Sequence, residues 1–152
     1  MTDQTKEILR RAASFCAYQE RTQREVRERL NEWDVYGDEA EEIIAWLIEN
    51  NYLNEERFAK TFAGSKFRVK RWGKQKIKQH LKQRGITGYN LDQAMKEIET
   101  DDYRQTLIDL LEKKRRTLKE ENPLVLKQKL IRYAIGKGYE SDLIWSVLGA
   151  EE

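Results

Sequence analysis

The chain has 152 residues, 39% apolar and 37% charged, with one proline and a formal net charge of +2. That balance is too apolar for a disordered chain and too polar for one large dry core. One cysteine and one histidine cannot furnish a structural zinc site or an internal disulfide, and the longest apolar run, Ile43 to Ile48, is far short of the ~20 residues a membrane-spanning helix requires.

The N-terminal stretch MTDQTKEILRR lacks the apolar region of a secretory signal, and the lone Cys16 suits a reducing compartment, so a cytoplasmic protein is expected. Helical periodicity then dominates, and no segment alternates as a strand. The first helix is expected at 4–20. Thr22-Gln-Arg-Glu25 has capping-box form and opens a second helix at 23–33. Asp38 is the expected N-cap of a third, at 39–50, and Asn54 that of a fourth, at 55–71. A fifth, at 74–84, ends at Gly85 in a left-handed conformation. The sixth and seventh follow at 89–99 and 102–119. Asn122 caps an eighth at 123–136, with Pro123 at its first position and Gly138 beyond its end. Ser141 caps the ninth, at 142–148.

These nine helices repeat a long, medium, shorter pattern three times. Aligning QREVRERL, KQKIKQHL and KQKLIRYA places Val26, Ile77 and Leu130 at one position, and Leu30, Leu81 and Ala134 four residues later. Gly85 and Gly138 then coincide, followed by Ile86 and Tyr139. The expected fold class is all-α: three tandem three-helix repeats in an elongated arrangement, with units at 1–53, 54–100 and 101–152. A unit of ~50 residues is marginal alone, so neighbouring units must touch or a partner must brace them. In the second unit the expected core is Phe58, Phe62, Val69, Ile77, Leu81, Leu91, Met95 and Ile98. Gly64, inside a helix at a cost of roughly 0.5–1 kcal/mol, reads as room for another backbone.

From Arg57 to Leu91 there are eleven lysines or arginines and no carboxylate, leaving the other 117 residues with a formal −9. Such a run has no local counter-charge and points to an anionic partner: phosphate, an acidic protein surface, or both. Arg57, Lys60, Arg68, Lys70, Arg71, Lys74, Lys78 and Lys82 are the expected docking cations. Lys74, Lys78 and Lys82 recur at i, i+4 and i+8 on one helix. Trp72, at the joint between the two basic helices, either stacks on a base, worth about 1–3 kcal/mol, or plugs that joint. No catalytic residue, metal or cofactor is expected. There is no P-loop or GxGxxG, His80 sits among lysines, and the acidic pairs Glu55-Glu56 and Asp101-Asp102 fall where helix dipoles favour carboxylates.

YLNEERFAKTF at 52–62, the basic stretch, and GKQKIKQHLKQRGI at 73–86 together resemble the RecX regulatory proteins. The shared pattern is a Tyr-Leu, an acidic pair, Arg-Phe, a basic segment, and Gly followed by a helix of the form I-x-x-x-L-x-x-x-G-I. The first repeat departs from it, with Trp33-Asp34-Val35 where glycine is expected. The resemblance implies a non-enzymatic, monomeric regulator. It would bind the RecA recombinase filament on single-stranded DNA and inhibit strand exchange, ATP hydrolysis and co-protease function, modulating DNA repair and the SOS response. The alternative is a stand-alone helical DNA-binding protein, although no short helix crowded with Arg, Asn and Gln is present to read base edges.

Overall fold

The computed structural model describes residues 2–150, and among them nine α-helices and no strand. They are α1 (Asp3–Tyr18), α2 (Gln23–Glu32), α3 (Gly37–Glu49), α4 (Glu55–Lys70), α5 (Lys74–Gln83), α6 (Gly88–Met95), α7 (Thr100–Thr117), α8 (Pro123–Gly136) and α9 (Ser141–Ala150). No helix among the described residues is long and apolar enough to cross a membrane.

Several helix starts follow from local chemistry. The Thr22 hydroxyl accepts from the Glu25 N–H at 3.1 Å while the Glu25 carboxylate accepts from the Thr22 N–H, a reciprocal cap that lets Thr22 be buried. The Asn54 side chain accepts from the Arg57 N–H, and that of Asn122 from the Leu124 and Val125 N–H groups. Asp38 and Ser141 do not precede their helices. Helix α3 follows Tyr36, so Asp38 lies in its first turn, where its carboxylate meets the positive end of the dipole. Helix α9 begins at Ser141 itself, and the Glu140 carbonyl accepts from the Ile144 N–H. Helix α6 stops at Met95, short of the expected 99. The N–H groups of Lys96, Glu97 and Ile98 bond three residues back, tightening the chain and turning Ile98 into the core.

The recurrence is visible atom by atom. The carbonyls of Leu30, Leu81 and Ala134 accept from the N–H groups of Val35, Ile86 and Tyr139 at 2.9, 3.0 and 3.1 Å. In each case the preceding residue is left-handed: Asp34 at φ 62°, Gly85 at 83°, Gly138 at 101°. The first repeat therefore keeps the geometry without the glycine, because aspartate is among the residues that best tolerate this conformation. The following apolar residue is buried all three times.

Helix packing is strongest within each triplet, but the cores number two. Ile8, Val26, Leu30, Ile43, Leu47 and their neighbours close one in the first unit. A second runs without a break from Phe58 to Leu148 through the second and third units. Phe67, Tyr103 and Tyr139 carry it across, with ring centroids 5.9 and 5.0 Å apart. At that joint the Gly73 N–H donates to the Lys137 carbonyl at 2.7 Å, and the Gln75 N–H to the Gly138 carbonyl at 2.9 Å. A Cβ at Gly73 would come within 3.0 Å of the Gly138 carbonyl and the Tyr139 nitrogen, so two backbones touch here because neither carries a side chain. Contacts between the first and second units include polar ones: Gln23 N–H to Glu55, Arg24 to the Gln83 carbonyl, and Arg57 to Glu20.

The accessible surface is 9559 Å² for an 18.2 kDa chain, against roughly 8,100 Å² for a compact monomer of that mass. Tandem packing of small units accounts for the excess. Two expectations fail in the second unit. Val69 is 73% exposed, because Phe67, two residues earlier on α4, takes the inward direction. Gly64 makes room for the Arg68 guanidinium rather than for a backbone.

Candidate polyanion interface

The basic segment is built on two helices held by the shared core. Helix α4 buries Phe58, Ala59, Ala63 and Phe67, and α5 buries Ile77 and Leu81. Arg71, left-handed at φ 58°, reverses the chain between them. Trp72 then folds into the joint, half-buried, its ring 4.5 Å from His80 and 6.5 Å from Phe62. The Lys66 and Lys76 ammonium groups lie 5.1 and 4.7 Å from its centroid. The indole thus holds two cations in place by cation–π attraction while plugging the joint. Partial burial, then Arg84, Lys76 and Lys66, push the His80 imidazole below its ordinary range, which favours its neutral form.

The expected docking cations do not form one cluster. Arg57 is spent at the joint between the first and second units: its Nε donates to Glu20, and its terminal nitrogens to Asn51 and the Tyr52 carbonyl. Lys60 pairs with Glu56 at 3.5 Å. Ten residues beyond Lys60, roughly 15 Å by helical rise, Lys70 and Arg71 stand exposed at the far end of α4. Arg68 lies back over Gly64 and lines a groove that also holds Asp102 and Asp109. Lys74 rests 4.7 Å from the Tyr103 ring centroid, and its N–H donates to the Tyr103 hydroxyl, which in turn donates to Glu140. Lys78 is half-buried and Lys82 exposed on the row that Lys74 begins.

A second concentration of charge forms where the second and third units meet. Lys70 and Arg71 from the end of α4, Lys113 and Lys114 from α7, and Lys137 after α8 line one cleft with Val69. Lys137 reaches across the joint and donates to the Lys70 carbonyl at 3.0 Å, and the Tyr139 hydroxyl donates to the Arg71 carbonyl at 2.9 Å. Sequence reasoning passed over Lys113, Lys114 and Lys137. The run Lys113-Lys-Arg-Arg116 was a visible local signal, but its meeting with α4 depends on how two units dock.

The described residues contain no cluster of His, Cys, Asp and Glu able to hold a metal ion. What the surface offers chemically is anion attraction on rigid supports.

Three RecX family models match the chain in order: the first three-helix domain at residues 9–47, the second at 54–95 and the third at 101–148. A regulatory protein RecX of Clostridium perfringens (strain 13 / Type A) is 34% identical over 130 residues, 84% of this chain and 60% of that relative. One of Salmonella paratyphi A (strain ATCC 9150 / SARB42) is 35% identical over 104 residues, 62% of each. The chain thus spans about 60% of the length of these curated relatives. The crystal structure of RecX from Lactobacillus salivarius matches the fold with a TM-score of 0.90, covering 99% of this chain and 97% of that one at 22% identity. With its three helical triplets matched in sequence and in order, the chain belongs to the RecX family of regulatory proteins.

Proposed function

We propose that this protein is a non-enzymatic, monomeric regulator that docks on the RecA filament assembled on single-stranded DNA in the cytoplasm. There it inhibits strand exchange, ATP hydrolysis and co-protease function, and so modulates DNA repair and the SOS response. One observation carries this reading: eleven cations in 35 residues without a carboxylate, mounted on α4, α5 and the turns that join and follow them. A polymeric anionic target suits a concentrated charge on an extended body, since several weak contacts combine through effective concentration. Lys78 and Lys82, extending the row that Lys74 begins, are the proposed filament contacts. Arg68, Lys70 and Arg71 extend the attraction along α4, whereas Arg57 and Lys60 serve the fold first. Trp72 supports the basic helices from within rather than stacking on a base.

The test is ATP turnover by RecA assembled on single-stranded DNA, titrated with the purified chain. Suppression at substoichiometric ratios is the expected result. Unchanged turnover at a molar excess rejects the reading, and tight sequence-selective binding to duplex DNA without RecA replaces it with the DNA-binding alternative.

A further inference from the structure

The cleft between the second and third units encloses about 380 Å³. We propose that it seats the phosphodiester backbone of single-stranded nucleic acid, through Lys70, Arg71, Lys113, Lys114 and Lys137. Its choice of nucleic acid over other polyanions rests on the function proposed above.

Five cations reach this space from three helix ends in two units, no carboxylate lines it, and no carboxylate pairs with any of the five among the described residues. Elsewhere on the chain arginines and lysines meet carboxylates, as Arg27 meets Glu41 and Lys129 meets Glu120. Cations near helix C-termini also complement the macrodipole, and Lys137 on the Lys70 carbonyl is such a contact. That effect operates at each helix end separately. It gives no reason for the ends of α4 and α8 and the last turns of α7 to share one concavity. The Lys137 ammonium is held below the usual lysine range first by partial burial and then by repulsion from Lys76, Lys70 and Arg71. A bound phosphate chain would relieve it.

The lining also matches a strand better than an acidic protein surface. Exposed Val69 and half-buried Tyr133 border the cations, giving sugars and bases apolar contact beside the phosphate seats. Protein interfaces are anchored in desolvated pockets, whereas this cleft is open and cationic.

The experiment is fluorescence anisotropy of a labelled oligothymidylate of about 20 nucleotides with the full chain, without RecA, across a salt series. Five phosphate contacts give a slope of log K against log salt near −3.5, since each contributes about −0.7 for single strands. K113A/K114A should reduce the slope to about −2.1 and weaken binding roughly 25-fold at 0.1 M salt. K6A/K96A, which removes two exposed lysines that line neither the cleft nor α5, should leave both unchanged. Lys113 is exposed and Lys114 partly so; an unaltered circular dichroism spectrum and melting temperature exclude misfolding as the cause. Wild-type binding by K113A/K114A, a larger loss in K78A/K82A, or equal competition by polyglutamate of matched charge would each overturn the assignment. Suppression of RecA turnover by a chain that fails to bind the oligonucleotide would remove this site and leave the proposed function standing. Tight cleft binding without suppression would do the reverse.

Discussion

Replacing Gly73 with alanine tests how the second and third units are joined. Gly73 has φ −76° and ψ 165°, a conformation alanine adopts freely. On local grounds alone G73A would stabilise the protein by about 0.4–1 kcal/mol, by restricting the unfolded chain. The tertiary contact reverses the sign. The added methyl would lie within 3.0 Å of the Gly138 carbonyl carbon and oxygen and of the Tyr139 nitrogen, all backbone atoms that no rotamer change can move. The units must part by about an ångström, which stretches the Gly73 and Gln75 hydrogen bonds at roughly 1 kcal/mol each. Loosened packing around Tyr103 and Tyr139 adds about another 1–2 kcal/mol. A net loss near 3 kcal/mol lowers the melting temperature by roughly 6–12 °C for a chain of this size. Thermal unfolding followed by circular dichroism reads it. An unchanged or raised melting temperature would mean that the two backbones do not meet as described.

Gly136, the last residue of α8, supplies the opposite sign: nothing lies within 4 Å of its missing Cβ, so G136A should raise stability by about 0.5–1 kcal/mol, and a loss in the same melt would contradict that open surrounding. Burial pushes the Cys16 thiol up to about 11, leaving roughly a hundredth of the usual thiolate fraction at pH 8. Iodoacetamide should therefore modify it slowly in the native protein and at the ordinary rate in urea, whereas equal rates would refute its burial. R57A removes the contacts with Glu20, Asn51 and Tyr52 that tie the first unit to the second. At about 1.4 kcal/mol, opening there becomes tenfold easier, and limited proteolysis between residues 50 and 54 should accelerate accordingly. An unaltered cleavage rate would show that the polar clasp does not hold the joint.

Much of this architecture was legible because it repeats. Leu30, Leu81 and Ala134 each occupy the same depth in a helical turn, and a left-handed residue follows each at the same distance. The missing glycine of the first repeat was misleading, since Asp34 performs the same turn at some conformational cost. Helix starts at Asp38 and Ser141 were set too late because cap preference is a local signal, and the positive φ of Gly37, which opens α3, is not spelled out by residue type. The site was less legible than the fold. The carboxylate-free window begins one residue after Glu56, which pairs with Lys60 inside it, and Glu20 reaches Arg57 from 37 residues away. Lys113, Lys114 and Lys137 join Lys70 and Arg71 because of a docking between units that no local pattern encodes. The merging of two units into one core is a property of the same kind, carried by Phe67, Tyr103 and Tyr139.

The central claim is that cations mounted on α5 engage the filament. Its most direct test titrates wild type and K78E/K82E against RecA turning over ATP on single-stranded DNA, with Lys74 left in place because it braces Tyr103 at the joint. The account predicts that the variant keeps its helical spectrum and loses suppression by at least tenfold in the concentration required. Suppression by K78E/K82E at wild-type concentrations would contradict it.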